Sequence, residues 1–134
     1  MVIHKSERLP IIAQEDIVRA RHMARQWAMD ACFKLVDQTK FVTAVSELAR
    51  NTLIYGKGGF MLLETVEKNL IKGLRATFED TGPGIANIEQ ALQNGFTTGG
   101  GLGLGLGGAK RLSHEFEIIS KPGEGTRITV ARWA

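Results

Sequence analysis

The stretch Gly73-Leu-Arg-Ala-Thr-Phe-Glu-Asp-Thr-Gly-Pro-Gly84 runs from a strand pattern directly into a tight turn. Polar and apolar side chains alternate through its first half, and the apolar ones are Leu74, Ala76 and Phe78. A period of two is typical of a strand with one buried face. Thr81 to Gly84 favours a type II turn, because proline suits its second position and glycine accepts the positive φ of its third. The pattern therefore predicts a strand that ends at Asp80, next to a turn that holds it.

A carboxylate at a strand end beside a glycine-rich turn favours recognition of a flat ring that carries an amine. Asp80 could accept a hydrogen bond from an exocyclic amine, and Gly82 and Gly84 would let the ring approach the backbone closely. The alternative is an ordinary strand-to-loop turn with a solvated aspartate. Both interpretations stay open for this motif alone.

A second glycine-rich segment, Gly95 to Gly108, leads into a predicted helix from about Gly103 to His114. Glycine permits close approach of a ligand, and the first N–H groups of a helix attract anions, so the combination favours a phosphate site. The alternative, a flexible linker, does not explain leucine at alternate positions. Gly103-x-Gly105-x-x-Gly108 also matches the dinucleotide-binding fingerprint, but weakly, because no strand precedes it. No Walker A sequence occurs.

Towards the N-terminus, Glu47-Leu-Ala-Arg-Asn51 lies within a predicted helix. Residues four apart share one helical face, so the carboxylate and the amide could line one small site. The amide oxygen of Asn51 suits Mg²⁺, which prefers oxygen ligands and often shares them with substrate phosphates. Glu47 could then act as a general base beside that metal. The alternative is two polar residues at the edge of an amphipathic helix.

The periodic segments predict two layers of secondary structure. The predicted order is a strand from Leu9 to Ala13, a helix from Glu15 to about Cys32, a helix capped by Asp37 and stopped at Gly56 to Gly59, strands from Phe60 to Glu67 and from Gly73 to Asp80, a short helix from Ile88 to Gln93, the helix after the glycines, and hairpin strands from Glu115 to Lys121 and from Thr126 to Trp133. This order predicts an α+β sandwich with helices on one face of a mixed sheet, and one domain over residues 1–134.

Composition excludes several classes of protein. The 134 residues are 43% hydrophobic and 23% charged, which is typical of a globular chain. The net charge is +3 without a basic block, so we expect no nucleic-acid partner. No apolar run is long enough for a membrane span, and no signal peptide is recognisable. A single cysteine, Cys32, fits a reducing compartment, so we expect a cytoplasmic protein.

Taken in order, the three motifs resemble the GHKL ATPase superfamily, which includes gyrase, Hsp90, MutL and the catalytic domains of histidine kinases. The resemblance covers the chain from about Leu9 to Trp133. Within the superfamily, the chain is similar to the bacterial anti-sigma and switch-protein serine kinases, especially the stressosome switch kinases. The segments that carry this similarity are Ser46 to Asn51, Glu79 to Ile85, Gly100 to Leu106, Lys110 to Leu112 and Gly123 to Thr126.

The resemblance implies a Bergerat-type ATP site and a role for each motif residue. Glu47 would be the catalytic base, and Asn51 would bind Mg²⁺ between the phosphates. Asp80 would bind the adenine amino group. The remaining nucleotide-binding positions would be Gly82 and Gly84 at the adenine turn, Thr126 beside it, and the backbone N–H groups of Gly101, Gly103, Leu104 and Gly105 around the phosphates.

The resemblance also implies a reaction and partners. The family transfers phosphate from ATP to serine or threonine on STAS-domain proteins, and a released switch kinase then activates a downstream phosphatase or another effector. Two alternatives stay open. The chain could be an anti-sigma factor that sequesters a sigma subunit and phosphorylates its STAS antagonist, or a nucleotide-gated scaffold without catalysis. The presence of both Glu47 and Asn51 argues against the scaffold.

Overall fold

The computed structural model describes residues 1–92 and 106–134. Its elements are β1 (Val2–Ile11), α1 (Gln14–Asp30), α2 (Leu35–Ile54), β2 (Gly59–Lys68), β3 (Ile71–Asp80), α3 (Ile88–Ala91), α4 (Leu106–Arg111), β4 (Glu115–Ser120) and β5 (Thr126–Trp133). This order agrees with the predicted one. The predicted starts of the α4 helix at Gly103 and of the glycine-rich segment at Gly95 lie outside the described residues.

The five strands form one sheet in the order β1-β2-β3-β5-β4. Each neighbouring pair is antiparallel. The predicted α+β class is therefore confirmed, but the prediction of a mixed sheet is wrong. The reason lies in the last hairpin: β4 runs parallel to β3, but β5 returns between them, so the two parallel strands never pair.

The hydrophobic core lies between the helices and one face of the sheet. Alternate residues of β2 and β3 point into it, as the period-two pattern predicted. The fully buried large side chains include Phe41, Leu48, Met61, Leu63, Leu74 and Phe78. Trp27 is only 6% exposed and belongs to this core. The core thereby fixes α2 against the sheet, because the buried side chains of this helix belong to the same cluster.

The first strand is longer than predicted. The prediction began at Leu9 and ended at Ala13, whereas β1 begins at Val2 and ends at Ile11. It pairs with β2 from Val2 opposite Glu67 to Ile11 opposite Gly59. Because nearly all of β1 is exposed, its first residues lack the apolar alternation that would reveal a strand.

The predicted cap of the second helix is also wrong. α2 begins at Leu35, after Lys34, so Asp37 lies inside the first turn. Its Oδ1 instead accepts a 2.6 Å hydrogen bond from Arg132 Nη2 on β5. Arg132 Nη1 also donates to the Leu112 carbonyl at 2.9 Å. Asp37 therefore fastens α2 to the last strand rather than capping the helix.

α1 has two acidic residues, Glu15 and Asp16, in its first turn. Asp16 Oδ2 accepts hydrogen bonds from the backbone N–H groups of Ile12 and Ala13, both at 3.0 Å, and Oδ1 accepts one from Arg19 at 2.7 Å. The Ile12 bond is the largest cause that lowers the pKa of Asp16. This carboxylate fixes the corner between β1 and α1.

Among the described residues, no helix is long and apolar enough to cross a membrane.

Candidate functional site

Asp80 ends β3 and lies against backbone on several sides. Its Oδ1 accepts a 2.9 Å hydrogen bond from the backbone N–H of Gly82. A Cβ at Gly56 would collide with the Asp80 carboxylate, and a Cβ at Gly125 would collide with the Asp80 carbonyl. Gly56 therefore leaves the space that the carboxylate occupies, and Gly125 leaves the space beside the backbone carbonyl of Asp80.

This environment raises the pKa of Asp80 above its ordinary value. Desolvation is the largest cause, and the neighbouring charge of Glu79 adds to it. Hydrogen bonds from the backbone of Gly82 and Thr126 act in the opposite direction. A carboxylate that has lost much of its water gains more from a hydrogen-bond donor on a ligand than a solvated one does. Asp80 is thus half-buried rather than a fully solvated turn aspartate, and its role in binding a ligand stays a prediction.

In the turn after Asp80, the φ of Gly84 agrees with the prediction. Gly84 has φ +75°, as the third position of a type II turn requires. The turn rests on the loop between β4 and β5, where the Pro83 carbonyl accepts a 2.6 Å hydrogen bond from the Gly123 N–H. A Cβ at Gly84 would collide with the Lys121 carbonyl. Gly84 is therefore required both by its φ and by this close approach.

Two hydroxyl groups that the sequence analysis did not single out hold the same turn. Tyr55 donates from its hydroxyl to the Gly84 carbonyl at 2.8 Å. The Ile85 N–H donates to Ser120 Oγ, also at 2.8 Å. One sequence signal could have indicated Tyr55: it is the single tyrosine of the chain and follows Asn51 by one helical turn.

Thr126 opens β5, as predicted, and pairs with Asp80 across the sheet. Its side chain is buried and its Oγ1 lies 2.8 Å from Ser120 Oγ. Because Ser120 has one hydroxyl proton and donates it to the Gly125 carbonyl at 3.0 Å, Thr126 must be the donor in their contact. Asp80, Gly82, Gly84 and Thr126 therefore meet at one end of the sheet.

Glu47 and Asn51 lie on α2, partly buried and one turn apart. A Cβ at Gly108 would lie 3.4 Å from Glu47 Oε2 and 3.9 Å from Arg111 Nη2, so the Glu47 side chain faces the start of α4. The Asn51 carbonyl accepts hydrogen bonds from Tyr55 and from Gly56 at 2.9 and 3.0 Å. Gly56 in turn contacts Asp80, so the end of α2 joins Asn51 to the strand-end carboxylate.

The predicted phosphate-binding positions Gly101, Gly103, Leu104 and Gly105 lie outside the described residues. The described chain resumes at α4, whose first residues Leu106 and Gly107 are buried. Within residues 1–92 and 106–134, no group of three or more His, Cys, Asp or Glu side chains could hold a metal ion. A single amide such as Asn51 fits Mg²⁺ that takes its other oxygens from phosphates and water.

Comparison with known proteins assigns this chain to a family. The model of the Histidine kinase-, DNA gyrase B-, and HSP90-like ATPase family matches residues 36–133, which include α2, Asp80 and β5. The chain belongs to this ATPase family. The resemblance to the GHKL superfamily is thus confirmed.

Two kinds of relative within the GHKL ATPases are similar to this chain. The Serine/threonine-protein kinase RsbT of Bacillus subtilis (strain 168) is 46% identical over 123 residues, 92% of each chain. The Anti-sigma F factor of Thermoanaerobacter sp. (strain X514) is 35% identical over 96 residues, 68% of this chain and 66% of the relative. That of Anoxybacillus flavithermus (strain DSM 21510 / WK1) is 32% identical over 107 residues, 73% and 70% of the two chains. The resemblance to switch-protein and anti-sigma kinases is thereby confirmed.

Proposed function

We propose that this chain is an ATP-dependent serine/threonine protein kinase of the RsbT type that phosphorylates STAS-domain partner proteins. Identity of 46% over 92% of both chains assigns it to the serine/threonine protein kinases. The observation that carries the proposal is the end of α2, where the Asn51 carbonyl accepts a hydrogen bond from the Gly56 N–H and Gly56 lies against Asp80. We treat residues 1–134 as one ATP-binding kinase domain.

In this proposal, adenine binds at the end of β3. Asp80 accepts a hydrogen bond from its amino group, and the turn at Gly82 and Gly84 forms the floor. Thr126 lies beside it, with its buried hydroxyl directed to Ser120. The backbone N–H groups of Gly101, Gly103, Leu104 and Gly105 would surround the phosphates, ahead of α4.

The reacting groups lie on α2. Mg²⁺ bound by the Asn51 amide oxygen would neutralise charge on the phosphates. Glu47 would accept the proton of the attacking serine or threonine hydroxyl. The hydroxyl oxygen then forms a bond to the γ-phosphorus, the bond from that phosphorus to the bridging oxygen breaks, and ADP leaves. Glu47 faces α4, so it lies where the predicted phosphate-binding segment rejoins the described chain.

The proposed biological setting is a partner-switching pathway of the stressosome type. The substrate would be a serine or threonine on a STAS protein, and the released kinase would bind and activate a downstream phosphatase or other effector. We place this activity in the cytoplasm, since the chain carries a single cysteine and the phosphate donor is ATP. Neither nucleic acid nor membrane enters the proposal.

A second candidate function is supported by the Anti-sigma F factors, which match 68–73% of this chain at 32–35% identity. An anti-sigma factor would hold a sigma subunit and phosphorylate the STAS protein that competes for it. A pull-down of the tagged chain from a cell extract separates the two functions. Recovery of a sigma subunit would favour the anti-sigma function, and recovery of STAS proteins without a sigma subunit would favour the switch kinase.

The activity is tested by mixing the chain with Mg-ATP and each STAS protein of the source genome, followed by mass spectrometry of the products. The proposal predicts one added phosphate on a serine or threonine of at least one STAS protein. Glu47→Gln, which keeps the size of the side chain, is the matched control and should modify far less of the partner in the same reaction time. Absence of phosphate on every STAS protein with the unaltered chain would overturn the proposal.

A further inference from the structure

The Gly84–Ile85 peptide is held at both of its polar ends by side chains from opposite parts of the fold. Its carbonyl accepts the 2.8 Å hydrogen bond from Tyr55, at the end of α2. Its N–H donates the 2.8 Å hydrogen bond to Ser120, at the end of β4. The two contacts span 29 and 35 positions in the chain, so they are tertiary contacts rather than part of the local turn.

This peptide follows Gly84, whose φ of +75° lies in the left-handed region that glycine adopts without steric cost. In a type II turn, the fourth residue commonly donates its N–H back to the carbonyl of the first. Here the Ile85 N–H is directed to Ser120 instead. The orientation of the peptide plane therefore depends on Tyr55 and Ser120, and not on the turn alone.

Each of the two residues also connects the turn to the proposed nucleotide site, Tyr55 through its backbone and Ser120 through its hydroxyl. Tyr55 donates its backbone N–H to the Asn51 carbonyl at 2.9 Å. Ser120 receives a hydrogen bond from Thr126 and donates to the carbonyl of Gly125, which packs against Asp80. A change at either hydroxyl would thus move the turn relative to α2 or to Thr126.

We propose that Tyr55 and Ser120 are positioning residues that together fix the Gly84–Ile85 peptide as the floor of the adenine site and so set the affinity for the base of the nucleotide. The inference rests on the proposed function, because it assumes that adenine binds beside Asp80. Neither side chain acts on the transferred phosphate. Their effect is confined to the base and reaches it through the turn.

The test compares Tyr55→Phe and Ser120→Ala with the unaltered chain by calorimetric titration with Mg-ADP and, separately, with Mg-tripolyphosphate, which has no base. Each variant is expected to bind Mg-ADP about 3- to 10-fold more weakly, the loss of one hydrogen bond. Affinity for tripolyphosphate should not change. The double variant should lose less than the product of the two factors, since both hydroxyls hold one peptide.

Matched controls separate positioning from general damage. Ser120→Thr keeps the hydroxyl and should bind Mg-ADP nearly as the unaltered chain does. Thr129→Ala removes another hydroxyl of β5, which lies 3.3 Å from Thr77 on the helix-free face of the sheet, and should not change the affinity. Hydrogen exchange of the Ile85 amide supplies a second readout: it should be slow in the nucleotide-free chain and faster in both variants.

The outcomes distinguish this inference from the proposed function. If the unaltered chain binds Mg-ADP and both variants bind it equally well, the inference is wrong and the kinase proposal stands. Equal weakening for tripolyphosphate and Mg-ADP would also overturn it, as would fast exchange of the Ile85 amide in the unaltered chain. If the unaltered chain itself fails to bind Mg-ADP, the proposed function is wrong, and the inference that rests on it is wrong as well.

Discussion

Arg132 Nη2 lies 2.6 Å from Asp37 Oδ1 and joins the last strand to the first turn of α2. Arg132 is 7% exposed, whereas the side chain of Asp37 is 25% exposed, so only the arginine side of the pair is shielded from water. α2 also carries Glu47 and Asn51. The pair therefore fixes the N-terminal end of the helix that we propose to carry the reaction, while Gly56 fixes its other end against Asp80.

The pair predicts a pH-dependent stability. The hydrogen bond from Arg132 is the largest cause that lowers the pKa of Asp37 below 3.8. A lowered pKa in the folded state means that the carboxylate stabilises the fold above pH 3.8 and loses this effect as the pH falls through the lower value. Asp37→Asn should therefore reduce the melting temperature at pH 7, and the difference should shrink in acid. Asp30→Asn, exposed at the end of α1, is the control.

Asp80 should behave in the opposite way. Because its folded pKa is raised, the protonated form is favoured by folding, and this stabilising effect is lost as the pH rises through the folded pKa. Asp80→Asn should therefore raise the midpoint of urea unfolding at pH 7 and change it little below pH 3.8. The same variant should lose affinity for Mg-ADP, because the carboxylate no longer accepts from the adenine amino group. A less stable Asp80→Asn protein at pH 7 would contradict the account of its desolvation.

Two glycines with nearly the same φ provide a matched test of the turn. Gly84 has φ +75° and Gly123 has φ +79°. Alanine at either site bears the cost of the left-handed region, about 1–2 kcal/mol. At Gly84 the added Cβ also collides with the Lys121 carbonyl, whereas at Gly123 it meets nothing within 4 Å. Urea unfolding should therefore show a larger loss of stability for Gly84→Ala, and equal losses would mean that the collision is relieved without cost.

Asn51→Ala should remove the dependence of nucleotide binding on magnesium. Without the amide oxygen, Mg²⁺ would be held by phosphates and water alone. Titration of ADP with and without Mg²⁺ should then give similar affinities for the variant, and clearly different ones for the unaltered chain. Persistent magnesium dependence in the variant would assign the metal to another residue.

Much of the fold could be predicted from local patterns. Alternation located β3, and the spacing of apolar residues located α1 and α2, because each of these elements buries one face in the core. The exposed start of β1 has no such face, so only its pairing with β2 defines it. Arg132, the partner of Asp37, lies 95 positions away in the chain. Local sequence rules do not reveal this pair, and they wrongly predicted that Asp37 caps the helix. The antiparallel sheet likewise depends on β5 returning beside β3.

The part of the candidate site that could be predicted is the part where the residue types of a motif indicate a structure by themselves. Asp80 and its turn are recognisable because aspartate, proline and glycine each have a defined backbone preference. Tyr55 and Ser120 could not be predicted, because the sequence does not show which group a hydroxyl will bond. The Gly84–Ile85 peptide is distant from both residues in the chain. Glu47 and Asn51 share a helical face, but the orientation of the Glu47 side chain towards α4 follows only from the packing at Gly108.

The central claim, that Glu47 is the base of an ATP-dependent protein kinase, is tested most directly by the rate of phosphoryl transfer to a STAS partner. Glu47→Gln should reduce that rate by about 10²- to 10⁴-fold, the usual contribution of a general base. Its affinity for Mg-ADP, measured on the same preparation, should stay within a factor of two, about 0.4 kcal/mol. Transfer by Glu47→Gln at the rate of the unaltered chain would contradict the account.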